Sequence, residues 1–143
     1  MLTTIRESWG WTGLDPVALI ATNAFGNVLV RAADGAYWRI CPEELSGEIV
    51  ARDDAELDTL RKSEEFTADW EMTRLVGIAQ AAVGPISDER CYCLKIPAAI
   101  GGKYEAANLG TITRRELIAF TGDLAEKIKD LPDGESFEIE WTK

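Results

Sequence analysis

The chain has 143 residues, 46% of them hydrophobic, and a formal charge of −10 with no histidine. This length suits one domain able to build its own core without disulfides or metal, and the absence of imidazole removes the commonest general base, the commonest metal ligand and every Ser–His arrangement. The charge is lopsided: residues 43–71 hold eleven acids and three bases, the remainder fourteen acids and twelve bases, which argues against direct nucleic-acid binding, where phosphate contacts need clustered Lys and Arg.

Residues 1–14 read as a lead-in segment to a single domain spanning residues 1–143. They lack the charged-then-apolar pattern of a secretory signal. No stretch of the chain approaches the roughly 20 apolar residues of a membrane span, so a cytoplasmic location is expected. Trp9 and Trp11 stand beside Gly10 and Gly13. They either pack against the domain or serve as exposed anchors.

The first half then reads as a β meander. Val17–Thr22 is a short apolar run after Asp15-Pro16, and residues 23–27 carry a turn signal. Val28–Ala32 follows as a strand rich in β-branched residues. Asp34-Gly35 marks a tight hairpin, whose central positions need positive φ. On the returning strand, alternation puts Trp38 and Ile40 on one face and Tyr37 and Arg39 on the other. Leu45–Ala51 is expected to add a strand with Leu45, Gly47 and Ile49 inward.

The middle turns helical. Asp53 is placed as an N-cap with Glu56 in the first turn, and Leu57, Leu60 and Phe66 are expected to face the core. Thr67 is expected to cap a second helix. Its apolar set, Trp70, Leu75, Val76, Ile78, Ala79 and Val83, is broad enough for deep burial, and Gly84-Pro85 stops it. Cys91–Pro97 and Ala107–Ile112 read as strands around a turn at residues 100–103. Thr113 and Glu116 form a capping box ahead of Leu117, Phe120, Leu124 and Ile128 at helical spacing. Leu131-Pro132-Asp133-Gly134 ends that helix, and Ser136–Trp141 alternates as a last strand. The fold class is therefore α+β: an antiparallel sheet, made of the N-terminal meander plus C-terminal strands, packed against about three helices.

No catalytic constellation, cofactor loop or metal site emerges. Cys91 and Cys93 point to one face of a strand and with Cys41 would supply three soft ligands, but a structural zinc site takes four. Burial of free thiols is the expectation. Adjacent acids such as Asp53/Asp54 and Glu64/Glu65 do not converge on one helix face. The Gly101-Gly102 turn either lets backbone approach a ligand closely or serves only as a turn needing positive φ.

Three stretches carry a family likeness. The first is residues 24–28 with Asp34-Gly35 and Tyr37-Trp38-Arg39. The second, the most specific, runs from Cys91 through Pro97, Gly101, Gly102 and Tyr104 to Asn108. The third is Phe120-Thr121-Gly122-Asp123 with residues 129–134. On these the chain resembles the C-terminal domain of type VI secretion DNase-immunity proteins, the Tdi-like family of bacteria. The resemblance implies an immunity role: binding a cognate toxin, expected to be a nuclease, and blocking it without catalysis, with no cofactor and no metal expected.

Under that reading the partner is a toxin protein with a basic surface, drawn in by long-range attraction. The candidate contact residues are Asp53, Asp54, Glu56, Glu64 and Glu65. A solvated acidic face that only aids solubility is the plain alternative. A different function is a cytosolic small-molecule-binding or sensing module using Gly101, Gly102, Lys103 and Tyr104. Monomer and homodimer are both compatible with the sequence.

Overall fold

The computed structural model describes residues 1–129. The helix stop at residues 131–134 and the strand expected at Ser136–Trp141 lie outside the described residues.

A four-stranded antiparallel meander forms from β1 (Pro16–Thr22), β2 (Val28–Ala32), β3 (Tyr37–Cys41) and β4 (Ser46–Ala51), in spatial order β1-β2-β3-β4. Alternation divides its side chains between two cores, as the pleat requires. Val28, Val30 and Ile40 point to the face covered by helices α1 (Leu2–Trp9) and α5 (Arg114–Ile128), where they meet Ile5, Trp9 and Ile118. Leu29, Tyr37 and Ala51 point the other way, towards Leu57 of helix α2 (Asp54–Lys62) and Trp70 of helix α3 (Glu64–Glu71). Each fully buried apolar side chain contributes about 1.5–3 kcal/mol relative to exposure.

The second half builds its own ribbon rather than extending the meander. Strands β5 (Arg90–Leu94) and β6 (Leu109–Thr113) pair antiparallel, Cys91 opposite Ile112 and Cys93 opposite Gly110. One face, with Tyr92, Leu94 and Leu109, packs on Ala79 of helix α4 (Thr73–Val83). The other, with Cys91 and Cys93, packs on Leu117 of α5. A bond from Tyr92 N to Ala24 O, 2.8 Å, ties the ribbon to the β1–β2 turn.

The described residues hold five α-helices, where the sequence suggested about three, and two physical causes account for the difference. The lead-in segment contains α1, whose Trp9 is 1% exposed and donates from Nε1 to Ile118 O at 3.0 Å. Trp9 is therefore core, and Trp11 stacks on it at 6.1 Å between ring centroids. The helices cross closely because Gly122 has no side chain: a Cβ there would lie 2.4 Å from Ser8 O. The expected single helix from Thr67 to Val83 is also two. Ser63 caps α3, accepting from Phe66 N at 3.3 Å, while Thr67 sits inside the helix and donates back to Ser63 O at 2.9 Å. Met72, at φ 50°, turns the chain before α4. Asn23 Nδ2 donates to Trp70 O across that break at 2.9 Å.

The edge strands depart from simple alternation. Ile49 pairs with Trp38, on the α1/α5 side as expected, yet is 52% exposed, because β4 is the outermost strand. Of the apolar set assigned to the middle helix, Ala79 is buried and Val83 is 39% exposed. Asp53 caps α2, accepting from Glu56 N at 2.8 Å, and Thr113 caps α5, accepting from Glu116 N at 3.2 Å. No helix among the described residues is long and apolar enough to cross a membrane.

Candidate functional site

Arg39 begins the site. It lies on a central strand, on the face shared with Tyr37, and a guanidinium there needs acceptors. Asn27 supplies one: its Oδ1 accepts from Arg39 Nε at 3.1 Å and Nη2 at 2.9 Å. Arg39 Nη1 donates to Asp69 of α3. The guanidinium also lies 5.2 Å from the Trp70 ring centroid and 5.9 Å from that of Phe66, within cation–π range. This arrangement docks α3 on the meander and engages all three nitrogens of the guanidinium.

Glu43 sits behind it, 5% exposed, in the short turn Pro42–Glu44. Asn27 Nδ2 donates to its two oxygens at 3.1 and 3.0 Å, and Cys41 Sγ donates to Oε1 at 3.1 Å. Among the described residues no Lys or Arg nitrogen comes within ion-pair distance of this carboxylate.

These groups open onto a cavity of about 470 Å³. Its polar wall holds Glu43, Glu44, Glu48 and Asp69 against the one cation Arg39, and its apolar wall includes Val50, Met72 and Leu75. Tyr104 closes one side, its hydroxyl donating to Glu44 Oε1. Burial first, then that hydrogen bond, pushes the Tyr104 phenol well above its ordinary range. A concave wall with four carboxylates and one committed guanidinium favours a cationic occupant by simple electrostatics.

The loop that brings Tyr104 here explains the most specific stretch of the sequence. Asn108 Nδ2 donates to Ile96 O and to Lys103 O, both at 2.9 Å, and its Oδ1 accepts from Ile96 N at 2.9 Å. Gly101 has φ 101°. Gly102 N donates to Pro97 O at 3.0 Å, and a Cβ at Gly102 would lie 1.7 Å from Ile96 O. The two glycines therefore serve the loop's own closure. Lys103 is exposed, and Tyr104, exposed as well, reaches Glu44 at the cavity rim.

The other residues singled out from the sequence are separated from this cavity. Asp53 caps α2, Asp54 accepts from Tyr37 Oη, and Glu56 Oε1 accepts from Arg52 N at 2.9 Å. Glu64 and Glu65 lie in the first turn of α3. All five are solvent-exposed. Asn27 escapes the sequence reading as a site residue, Arg39 reads only as a strand residue, and Glu43, Glu44, Glu48 and Asp69 read only as members of the acidic segment 43–71. The available signal was Arg39, a cation alternating with core residues just ahead of an acid-rich segment.

The thiols do not assemble a ligand set. Cys91 and Cys93 face Leu117 of α5, whereas Cys41 is committed to Glu43. Burial raises the Cys91 thiol to about 12 and the Cys93 thiol to about 11. Among the described residues no group of three or more His, Cys, Asp or Glu is arranged to hold a metal ion.

No curated protein matches this chain. A family described as T6SS immunity protein Tdi1, C-terminal, matches residues 52–125. That span runs from the start of α2 to near the end of α5, so it takes in the acidic helices, the ribbon and the Tyr104 loop, and leaves out the meander. By this match over half of its length, the chain belongs to the family of type VI secretion immunity proteins of the Tdi1 C-terminal type.

Proposed function

We propose that this chain neutralises a cognate secreted toxin, a nuclease with a basic surface, by adhering to it and covering that surface without catalysis, in the cytoplasm. The family match supports the immunity role. The observation that carries the electrostatic part is the cavity wall of Glu43, Glu44, Glu48 and Asp69, drawn from the acid-rich segment and facing Arg39, a cation that is already engaged. A basic nuclease surface is built to attract phosphate, and an anionic wall competes for the same side chains. The exposed acids Asp53, Asp54, Glu56, Glu64 and Glu65 widen the negative field that steers encounter, rather than forming the contact itself.

Growth rescue tests the role directly. Bacteria expressing a toxin captured with this chain from its native cells should survive only when this chain is co-expressed. In stopped-flow mixing with that toxin, Glu44→Lys with Glu48→Lys should slow association about tenfold at low salt, with the difference shrinking as salt rises. An unchanged association rate would remove the electrostatic part; failure to rescue would remove the immunity role.

A further inference from the structure

We propose that Tyr104, with Ile96 on the same clamped loop, is the apolar anchor of the toxin-facing surface and sets the lifetime of the complex, while the cavity acids set its rate of formation. This rests on the immunity reading above.

Tyr104 is 44% exposed and Ile96 47% exposed, two of the few large apolar side chains the described surface presents. Single exposed apolar residues are ordinary; the backbone beneath these two is not. Residues 95–108 are held by bonds from Lys95 N to Asn108 O at 2.7 Å, Ile100 N to Pro97 O at 3.1 Å and Asn108 N to Glu105 O at 2.9 Å, besides the three bonds of the Asn108 side chain. Yet residues 103–107 are all exposed and bury little for the core. The loop is thus pinned at its base, where Pro97 is buried and Ala98 packs on the Tyr92 core, while its tip is held by hydrogen bonds without apolar packing. A fixed loop has already met the ordering cost that a flexible one meets on binding.

The hydroxyl bond to Glu44 orients the Tyr104 ring at the cavity rim. An aromatic side chain beside carboxylates matches the usual anatomy of an interface, an apolar centre within a charged margin. The occupant it suits is a cationic protein surface, where an Arg or Lys stem lies on the ring and its head reaches Glu44 or Glu48. Charge complementarity selects that occupant over a second copy of this acidic chain.

The kinetics of the toxin from the rescue experiment decide it. Tyr104→Ala should raise the dissociation rate about tenfold or more with association changed less than about twofold. Tyr104→Phe, which keeps the ring, should stay near wild type. Ile96→Ala, whose side chain takes no part in the Asn108 clamp, should raise dissociation as well and carries the test if amide exchange shows that Tyr104→Ala loosens the loop. Dissociation unchanged in Ile96→Ala and in a folded Tyr104→Ala overturns the anchor while leaving the immunity role standing. A chain that neither rescues nor binds the toxin overturns both.

Discussion

Asn27 holds the buried carboxylate of Glu43 with one nitrogen, at 3.1 and 3.0 Å, and the guanidinium of Arg39 with its oxygen, at 3.1 and 2.9 Å. A neutral amide thus joins an anion and a cation that do not themselves pair. Both Asn27 and Glu43 are inaccessible or nearly so, at 0% and 5% exposure, so neither can turn to water for a replacement partner.

Asn27→Ala should cost about 3 kcal/mol, because it strands a buried carboxylate and an arginine together. The urea midpoint measures this. The double variant Asn27→Ala/Glu43→Ala should cost less than the sum of the single changes, since the second removes the group the first leaves unpaired. Strict additivity would show that the two residues do not act as a unit.

Asp53 has a defined local duty, accepting from Glu56 N at the start of α2. Asp53→Ala should lower stability by about 1 kcal/mol, and Asp53→Asn should leave it nearly unchanged, because either side chain can cap. Thermal melts of the two variants separate capping from charge. Any loss of toxin association in Asp53→Asn that is absent from the melts would belong to steering instead.

Gly122→Ala should force α1 and α5 apart, since its new carbon would fall 2.4 Å from Ser8 O. A cost of about 2–3 kcal/mol is expected from such overpacking. Trp9 reports the movement: losing its bond to Ile118 O should shift its emission to longer wavelength. A native-like spectrum and melt would mean that the helices slide without penalty.

The thiols set a stability limit on the alkaline side. Burial raises Cys91 to about 12 and Cys93 to about 11, against an ordinary value of 9.0. Between 9.0 and these values the unfolded chain releases protons that the folded chain keeps, so the unfolded state gains. The contribution is full below pH 9 and is lost as pH rises through about 11 to 12. Denaturation midpoints should fall over that window, and less so in Cys91→Ala/Cys93→Ala once its own lower baseline is subtracted. At pH 8 both thiols should react with an aromatic disulfide reagent far more slowly in the folded chain than in urea.

Local sequence determined the elements whose signals are themselves local. The Asp34-Gly35 hairpin, the Asp53 cap and the Thr113–Glu116 capping box each depend on residues a few positions apart, and each appears where the pattern put it, although the hairpin turns over three residues between Ala32 and Ala36 with Gly35, and not Asp34, at positive φ. The α+β class follows from the same short-range periodicities. Composition likewise placed the negative charge in residues 43–71. The cavity was beyond that reach because its walls come from a turn, two strands, two helices and a distant loop, and Tyr104 meets Glu44 across 60 positions. Which acids guard a cavity and which merely cap a helix is set by how the chain folds back on itself, and side-chain type and spacing carry no record of that choice.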